Sequence, residues 1–274
     1  MQTDVITCLK EMAARPDRVW LQGAVPVTYA ALWAETGRLA NALVGLGLRP
    51  GDRLLLQVQK CEAVLSLYLA CLRTGVVFLP VNPDYTVAET QHFLTDAAPA
   101  LAVVEGERVA QIEALGARAM DLADLLAFAT AQTSDHLDLA HGPHDLAAIL
   151  YTSGTTGRSK GVMLSRGNLA SNAVALVGLW RFTERDVLLH ALPDFHPHGV
   201  FVARYCVLFS GASMVFLPSF SPDAVLAALS QATVMMGVPT FYTRLLADPR
   251  LTREICAGLR LFISGSAPLS PATH

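Results

Sequence analysis

The feature of this sequence that most restricts its fold is the alternation of short apolar runs with longer segments of helical periodicity. Residues 53–59, 76–83 and 100–106 are each of strand length and contain a continuous apolar run, and a helix-like segment separates each from the next. Strands of this kind are buried on both faces, and helices that connect parallel strands provide the cover. The pattern resumes after residue 165 and predicts an α/β fold, with mostly parallel sheets flanked by helices.

Side-chain signals at the helix starts support this reading. Thr86 and Glu89 have the spacing of a capping box, and Ser165 is placed to cap the helix that follows it. Residues 118–143 are less regular, and 136–146 is predicted to be a loop. With no repeat and no flexible linker, the sequence predicts one large α/β unit or two fused subdomains.

Composition excludes several classes of protein. Of the 274 residues, 53% are hydrophobic and 16% charged, with a net charge of −3, which rules out a disordered chain and gives no basic surface for nucleic acid. The N-terminus lacks the basic start and apolar core of a signal peptide. Residues 199–218 are apolar enough to resemble a membrane segment, but Arg204 and a turn signal inside them favour a buried helix and strand. We therefore expect a cytoplasmic protein without a membrane span.

The segment Tyr151–Ser165, YTSGTTGRSKGVMLS, is the strongest functional signal. It matches neither the spacing of a P-loop nor that of a dinucleotide-binding fingerprint. Its glycines allow the backbone to approach a ligand closely, while its hydroxyls and Lys160 suit a polyphosphate. The alternative is a solvated turn between two strands, since glycine, serine and threonine are ordinary turn residues.

This segment resembles the signature loop of the adenylate-forming superfamily, which includes acyl-CoA synthetases, luciferases and the adenylation domains of peptide synthetases. The resemblance implies that the loop holds the β- and γ-phosphates of ATP and that Thr156 could meet Mg²⁺ through those phosphates. Arg166 stands where the family often has a histidine, outside the phosphate-facing residues. The phosphate-binding residues implied are Thr152, Ser153, Gly154, Thr155, Thr156, Gly157 and Lys160.

Two later segments resemble the same family in the same order. FHPHGV, from Phe195 to Val200, is similar to the segment that lines the acyl pocket, and SGSAPLS, from Ser264 to Ser270, is similar to the loop that holds adenine and the acyl-adenylate. The first could instead be a metal site or two surface histidines, although two imidazoles without a further ligand are too few for a metal. The second alone would be a weak turn signal. The residues implied are His196, His198 and Ser264 for the acyl substrate, and Gly265, Ser266, Ala267 and Pro268 for adenine.

Within the superfamily, the second half of the chain most resembles malonyl-CoA synthetases, which implies malonate or methylmalonate as the acid, with ATP, Mg²⁺ and CoA. A dicarboxylate needs a cation for its second carboxylate. Arg244 could supply it by facing the acyl pocket, or it could lie on the solvent face of its helix, as a lone helical arginine more commonly does. His196 or His198 could supply a second donor.

The resemblance also implies that residues 1–274 form an incomplete N-terminal AMP-binding domain, truncated before its end and without the C-terminal domain. The family's magnesium-binding Y-G-x-T-E motif would follow residue 274, so we expect an acid–thiol ligase fragment that is inactive alone. Two alternatives stay open: a non-catalytic nucleotide-binding remnant, and an adenylation module that loads a carrier protein.

Overall fold

The computed structural model describes residues 4–152, 159–271 and 273. The chain divides into two compact units. Unit 1 consists of the described residues within Met1–Ile6 and Leu32–Leu169, and unit 2 of those within Thr7–Ala31 and Ala170–His274. Each unit contains one six-stranded sheet.

Helices and strands alternate along most of the chain. The α-helices are α1 Val5–Ala13, α2 Tyr29–Gly45, α3 Ala63–Thr74, α4 Val87–Ala97, α5 Arg108–Glu113, α6 Leu122–Thr130, α7 Arg166–Trp180, α8 Arg204–Ser210, α9 Pro222–Ala228 and α10 Pro239–Leu246. A π-helical turn, His198–Ala203, precedes α8, and a 3-10 turn, Leu229–Gln231, follows α9. The strands are β1 Val19–Gln22, β2 Val27–Thr28, β3 Arg53–Leu56, β4 Val77–Pro80, β5 Leu101–Val104, β6 Ala119–Asp121, β7 Leu146–Thr152, β8 Lys160–Ser165, β9 Val187–His190, β10 Ser213–Phe216, β11 Val234–Gly237 and β12 Leu261–Ser264.

Both sheets are mostly parallel, as the sequence predicts. The sheet of unit 1 has the order β6-β5-β3-β4-β7-β8 and is parallel except for the β7–β8 hairpin. The sheet of unit 2 has the order β12-β11-β9-β10-β1-β2 and is parallel except for the β1–β2 pair. Strands β4 and β5 are buried at every position, because helices cover both faces of a parallel sheet.

Both predicted helix caps are confirmed. The Thr86 hydroxyl accepts a hydrogen bond from the Glu89 amide, and the Glu89 carboxylate accepts one from the Thr86 amide at 2.8 Å. The Ser165 hydroxyl accepts a hydrogen bond from the Asn168 amide at 3.1 Å, at the start of α7. These bonds satisfy amides that have no partner within their own helices.

Residues 118–143 contain more regular structure than the sequence predicts. Strand β6 and helix α6 lie within this range, and the Asp121 carboxylate caps α6 by accepting a hydrogen bond from the Ala123 amide at 2.7 Å. The predicted loop is confirmed as far as Asp145, after which β7 begins. The apolar stretch 199–218 forms the π-helical turn, α8 and β10, and among the described residues no helix is long and apolar enough to span a bilayer.

Candidate functional site

In unit 1, strands β7 and β8 form an antiparallel hairpin that carries the predicted phosphate-binding segment. Thr152 and Lys160 face each other as the last described pair of this hairpin, and both side chains are exposed. A solvated lysine at this position keeps its charge available to an anionic ligand. The other predicted phosphate-binding residues, Ser153, Gly154, Thr155, Thr156 and Gly157, lie outside the described residues.

The two sides of this hairpin are held by helix α4, a relation that the sequence does not predict. His92 lies 2.9 Å from the Ser159 carbonyl oxygen through Nε2, and the Tyr151 hydroxyl donates to the Asp96 carboxylate at 2.5 Å. More than fifty residues separate the partners in sequence, so no local pattern could have indicated these contacts.

Arg166, the departure from the family pattern, has a structural role at the start of α7. Its side chain is buried, donates to the Leu72 carbonyl at 2.7 Å and forms an ion pair with Asp4 at 2.5 Å. A guanidinium can be buried here because a carboxylate and a carbonyl pair with it. This placement agrees with the prediction that Arg166 does not face phosphate.

In unit 2, the structure brings the two later motifs into contact. His198 Nδ1 lies 3.3 Å from the Ser266 hydroxyl. A Cβ atom at Gly265 would lie 2.9 Å from His198 Cε1, so only glycine fits beside this imidazole without displacing it. Ser266 has a positive φ of 68°, a conformation that is uncommon outside glycine and recurs at functional turns. His198, Gly265 and Ser266 therefore form one cluster.

Buried groups fix the position of this cluster. The His190 ring, fully buried beneath the π-helical turn, donates through Nε2 to the Gly199 carbonyl at 3.0 Å. A Cβ atom at Gly199 would lie 2.0 Å from the Pro193 carbonyl oxygen, so this position requires glycine. Sequence analysis identified neither constraint, because both depend on how the end of β9 packs against a later turn.

Among the predicted acyl-site residues, the His198 side chain is half-buried and the His196 side chain is more exposed. Burial lowers the pKa of His196 and of His198 below the ordinary value for histidine, so both imidazoles are neutral at pH 7 and each offers one donor and one acceptor. The Ser264 hydroxyl, at the end of β12, is buried and has no hydrogen-bond partner among the described residues. Ala267 and Pro268 are exposed and follow Ser266 in the chain.

Arg244 lies on the exposed face of α10, which favours the solvent-facing alternative for this residue. Its guanidinium carbon lies 5.0 Å from the centroid of the Phe220 ring, which stacks on Phe241. Within the described part of the chain it forms no ion pair, so its charge is available to a ligand that approaches from solvent.

No cluster of three or more histidine, cysteine, aspartate or glutamate side chains suited to a metal ion exists among the described residues. The metal-site alternative for His196 and His198 is therefore not supported by the part of the chain that the structure describes. Thr156, the residue predicted to meet a magnesium ion through the phosphates of a nucleotide, lies outside the described residues.

Comparison with known proteins matches this chain to one family model and to several acyl-CoA ligases and synthases. The AMP-binding enzyme family model matches residues 9–274. The chain is 34% identical to feruloyl-CoA synthase from an Amycolatopsis species, over 90% of this chain and 50% of that protein. It is 35% identical to the mitochondrial malonate–CoA ligase ACSF3 of Mus musculus, over 88% of this chain and 46% of that protein.

Among solved structures, ATP-bound MatB from Rhodopseudomonas palustris has a TM-score of 0.95 and 48% identity, with all of this chain and 57% of MatB covered. The chain thus spans about half the length of the relatives that it matches.

Proposed function

The chain belongs to the AMP-binding enzyme family, that of the adenylate-forming acyl-CoA ligases, and on this premise we propose that it forms an N-terminal AMP-binding portion of an ATP-dependent acid–thiol ligase for malonate or methylmalonate. In this proposal the β7–β8 hairpin supplies the phosphate-binding loop, and Thr152 and Lys160 form the last described pair of the hairpin. The cluster of His198, Gly265 and Ser266 serves adenine and the acyl group. CoA is the proposed acceptor of the acyl group.

The observation that carries the substrate class is the polar character of the acyl-site residues. Two neutral imidazoles and the Ser264 hydroxyl, which is buried and has no hydrogen-bond partner among the described residues, suit a short, hydrogen-bonding acid better than a long apolar one, because buried polar groups left unpaired by an apolar ligand cost free energy. The likeness to mouse malonate–CoA ligase supports the same class. The similar identity to feruloyl-CoA synthase makes ferulate the acid to test against it.

The proposed chemistry has two steps. The carboxylate of the acid attacks the α-phosphorus of ATP, which gives acyl-AMP and releases pyrophosphate. The thiolate of CoA then attacks the acyl carbon and releases AMP. The charge of Lys160 stabilises the departing pyrophosphate, and the cluster of His198, Gly265 and Ser266 orients the acyl-adenylate. The protein accelerates both steps by positioning the reacting groups and by electrostatic stabilisation. Arg244 remains our candidate for pairing with the second carboxylate, from the exposed side of α10.

The test is a substrate comparison with the complete protein that contains this sequence. Pyrophosphate release and CoA thioester formation are measured with malonate, methylmalonate and ferulate. We expect kcat/KM for one of the dicarboxylates to exceed that for ferulate by at least about tenfold, since a polar pocket discriminates against an acid that leaves its groups unpaired. Ferulate as the better substrate would overturn the proposed substrate class. Acid-dependent pyrophosphate release without a CoA thioester would point to a carrier-protein acceptor.

A further inference from the structure

We propose that His92 and Asp96 of α4 are positioning residues that hold the two sides of the phosphate-binding hairpin in register for the β- and γ-phosphates of ATP. The inference rests on the proposed function of that hairpin. It concerns the described residues on either side of the loop, Tyr151 and Ser159, and the helix that contacts both.

Helix α4 is suited to this role because both of its ends are fixed. The capping box of Thr86 and Glu89 fixes its N-terminus. At its C-terminus the guanidinium of Arg53 donates to the carbonyls of Ala97 and Ala98, each at 2.7 Å. A helix held at both ends is a rigid support against which a neighbouring loop can be ordered.

A buried hydrogen-bond network also fixes the first turns of α4. Thr90, which is fully buried, donates to the Gln57 side chain at 3.1 Å, and Gln57 in turn donates to the carbonyls of Asn82 and Tyr85. Because Gln57 directly follows β3, the position of α4 is tied to the centre of the sheet.

The contacts to the hairpin arise from one face of α4. His92 and Asp96 are four residues apart and therefore project from the same side of the helix. His92 reaches the chain after the phosphate-binding loop at the Ser159 carbonyl, where its Nε2–H must be the donor, and Asp96 reaches the chain before the loop at the Tyr151 hydroxyl. One rigid helix thus holds both ends of the loop.

Aromatic packing reinforces this arrangement. The Tyr151 ring lies 4.6 Å from the ring of Phe93, which is buried, and 5.8 Å from the His92 ring, centroid to centroid. Across the hairpin, a Cβ atom at Gly161 would lie 3.3 Å from the Tyr151 ring. Gly161 therefore leaves room for the Tyr151 ring. In this position the Tyr151 hydroxyl is within hydrogen-bond distance of Asp96.

The consequence for ligand binding is preorganisation. Contacts that fix the residues on either side of a binding loop before the ligand arrives reduce the conformational entropy lost on binding and increase affinity. The contacts of α4 would therefore improve binding of ATP, which bears the β- and γ-phosphates. They would leave AMP, which lacks these phosphates, unaffected.

The experiment compares the dissociation constants of ATP and AMP by calorimetry, with the complete protein. His92→Ala should raise the Kd of ATP about three- to tenfold, the effect of losing one hydrogen bond, with the Kd of AMP unchanged. His92→Gln should restore ATP binding, because its amide can donate from nearly the same place as Nε2. Tyr151→Phe should act in the same direction as His92→Ala. Gln91→Ala, an exposed neighbour on α4, is the matched control and should change neither constant.

Other results would overturn the inference. Equal weakening of ATP and AMP binding by His92→Ala would show a general structural effect, and unchanged ATP binding would show that α4 does not position the loop. A wild-type protein that binds ATP no more tightly than AMP would instead refute the phosphate-binding role of the hairpin itself, and the inference would fall with it.

Discussion

At the scale of single residues, sequence patterns predicted local interactions well and distant ones poorly. The caps formed by Thr86 and Ser165 were predictable because donor and acceptor are three residues apart. The contact of His198 with Ser266 joins two motifs that are 68 residues apart, and only the family resemblance suggested their proximity. Which face of α10 Arg244 occupies could not be decided from one sequence, because an eight-residue helix leaves its phase uncertain.

Lys160→Ala should weaken adenylate formation without changing the fold. The side chain is exposed at the start of β8, so its removal leaves no cavity, while loss of one charge-assisted contact to phosphate is worth about 1.5–3 kcal/mol. We expect a loss of about ten- to a hundredfold in acid-dependent pyrophosphate release, with the melting temperature unchanged. Lys10→Ala, which removes an exposed lysine from α1, is the control. Unchanged pyrophosphate release in the Lys160 variant would favour the alternative that Tyr151–Ser165 contains only a solvated turn.

Arg244→Ala tests whether this exposed guanidinium selects a dicarboxylate. If it does, KM for malonate should rise about tenfold, the value of one charge-assisted hydrogen bond, while the kinetics with propionate stay the same. The matched control is Arg250→Ala, since Arg250 is also exposed but is already paired with Asp248 and Asp223. Malonate kinetics close to wild type would exclude Arg244 and direct attention to His196 and His198.

At the scale of elements, the order of strands and helices followed from the sequence, whereas short or irregular elements did not. Strands β4 and β5 are short and buried at every position, and they lie in apolar runs bounded by turn residues, the pattern expected of strands in a parallel sheet. Strand β6 has three half-buried residues and carries little apolar signal, so its region was read as irregular. The contacts between α4 and the hairpin join residues that are distant in sequence, so no periodicity within either element predicts them.

The segment between α6 and β7 depends on one buried arginine of α3. Arg73 donates to Asp138 at 2.6 Å and to the Thr36 hydroxyl at 2.9 Å, and its guanidinium carbon lies 3.7 Å from the centre of the Trp33 ring. Its side chain is 1% exposed. A fixed guanidinium thus joins an otherwise irregular segment to two helices.

Arg73→Leu should destabilise the protein by about 3–5 kcal/mol, because it breaks a buried ion pair and leaves the partner groups unsatisfied. The measurement is the free energy of unfolding from urea titration. Arg15→Ala serves as the comparison, since its ion pair with Glu184 is about half exposed and should contribute at most about 1 kcal/mol. Equal effects of the two variants would show that the Arg73 contacts do not stabilise this segment.

At the scale of the whole molecule, the order of elements along the chain does not show which segments belong to which of the two units. Two fused subdomains were one of the predicted alternatives, but their composition was not predictable, since Thr7–Ala31 belongs with the second half of the sequence. Strand β1 pairs in parallel with β10, nearly two hundred residues later. Its own sequence contains no information about that partner.

Histidines in both units make the stability of the folded protein dependent on pH. Burial lowers the pKa of His136 and His141 in unit 1 and of His196 and His198 in unit 2. In the unfolded chain these histidines titrate near pH 6.5. Between that pH and the lower values of the folded protein, the unfolded state binds more protons, so stability must fall as pH falls through this range.

His136 provides the sharpest test of this pH dependence. Asn41 donates to the carbonyls of Thr133 and Asp135, so its side-chain oxygen accepts the Nδ1–H of His136 at 2.7 Å. His136 Nε2 is buried without a partner among the described residues, so protonation would place a charged donor where those residues offer no acceptor. We expect the urea midpoint to decrease from pH 7.5 to 5.5, and less steeply in His136→Asn, which retains a donor near Nδ1 but cannot be protonated. The exposed His144→Asn is the control, and an identical pH slope in the His136 variant and the wild type would show that the His136 charge does not contribute.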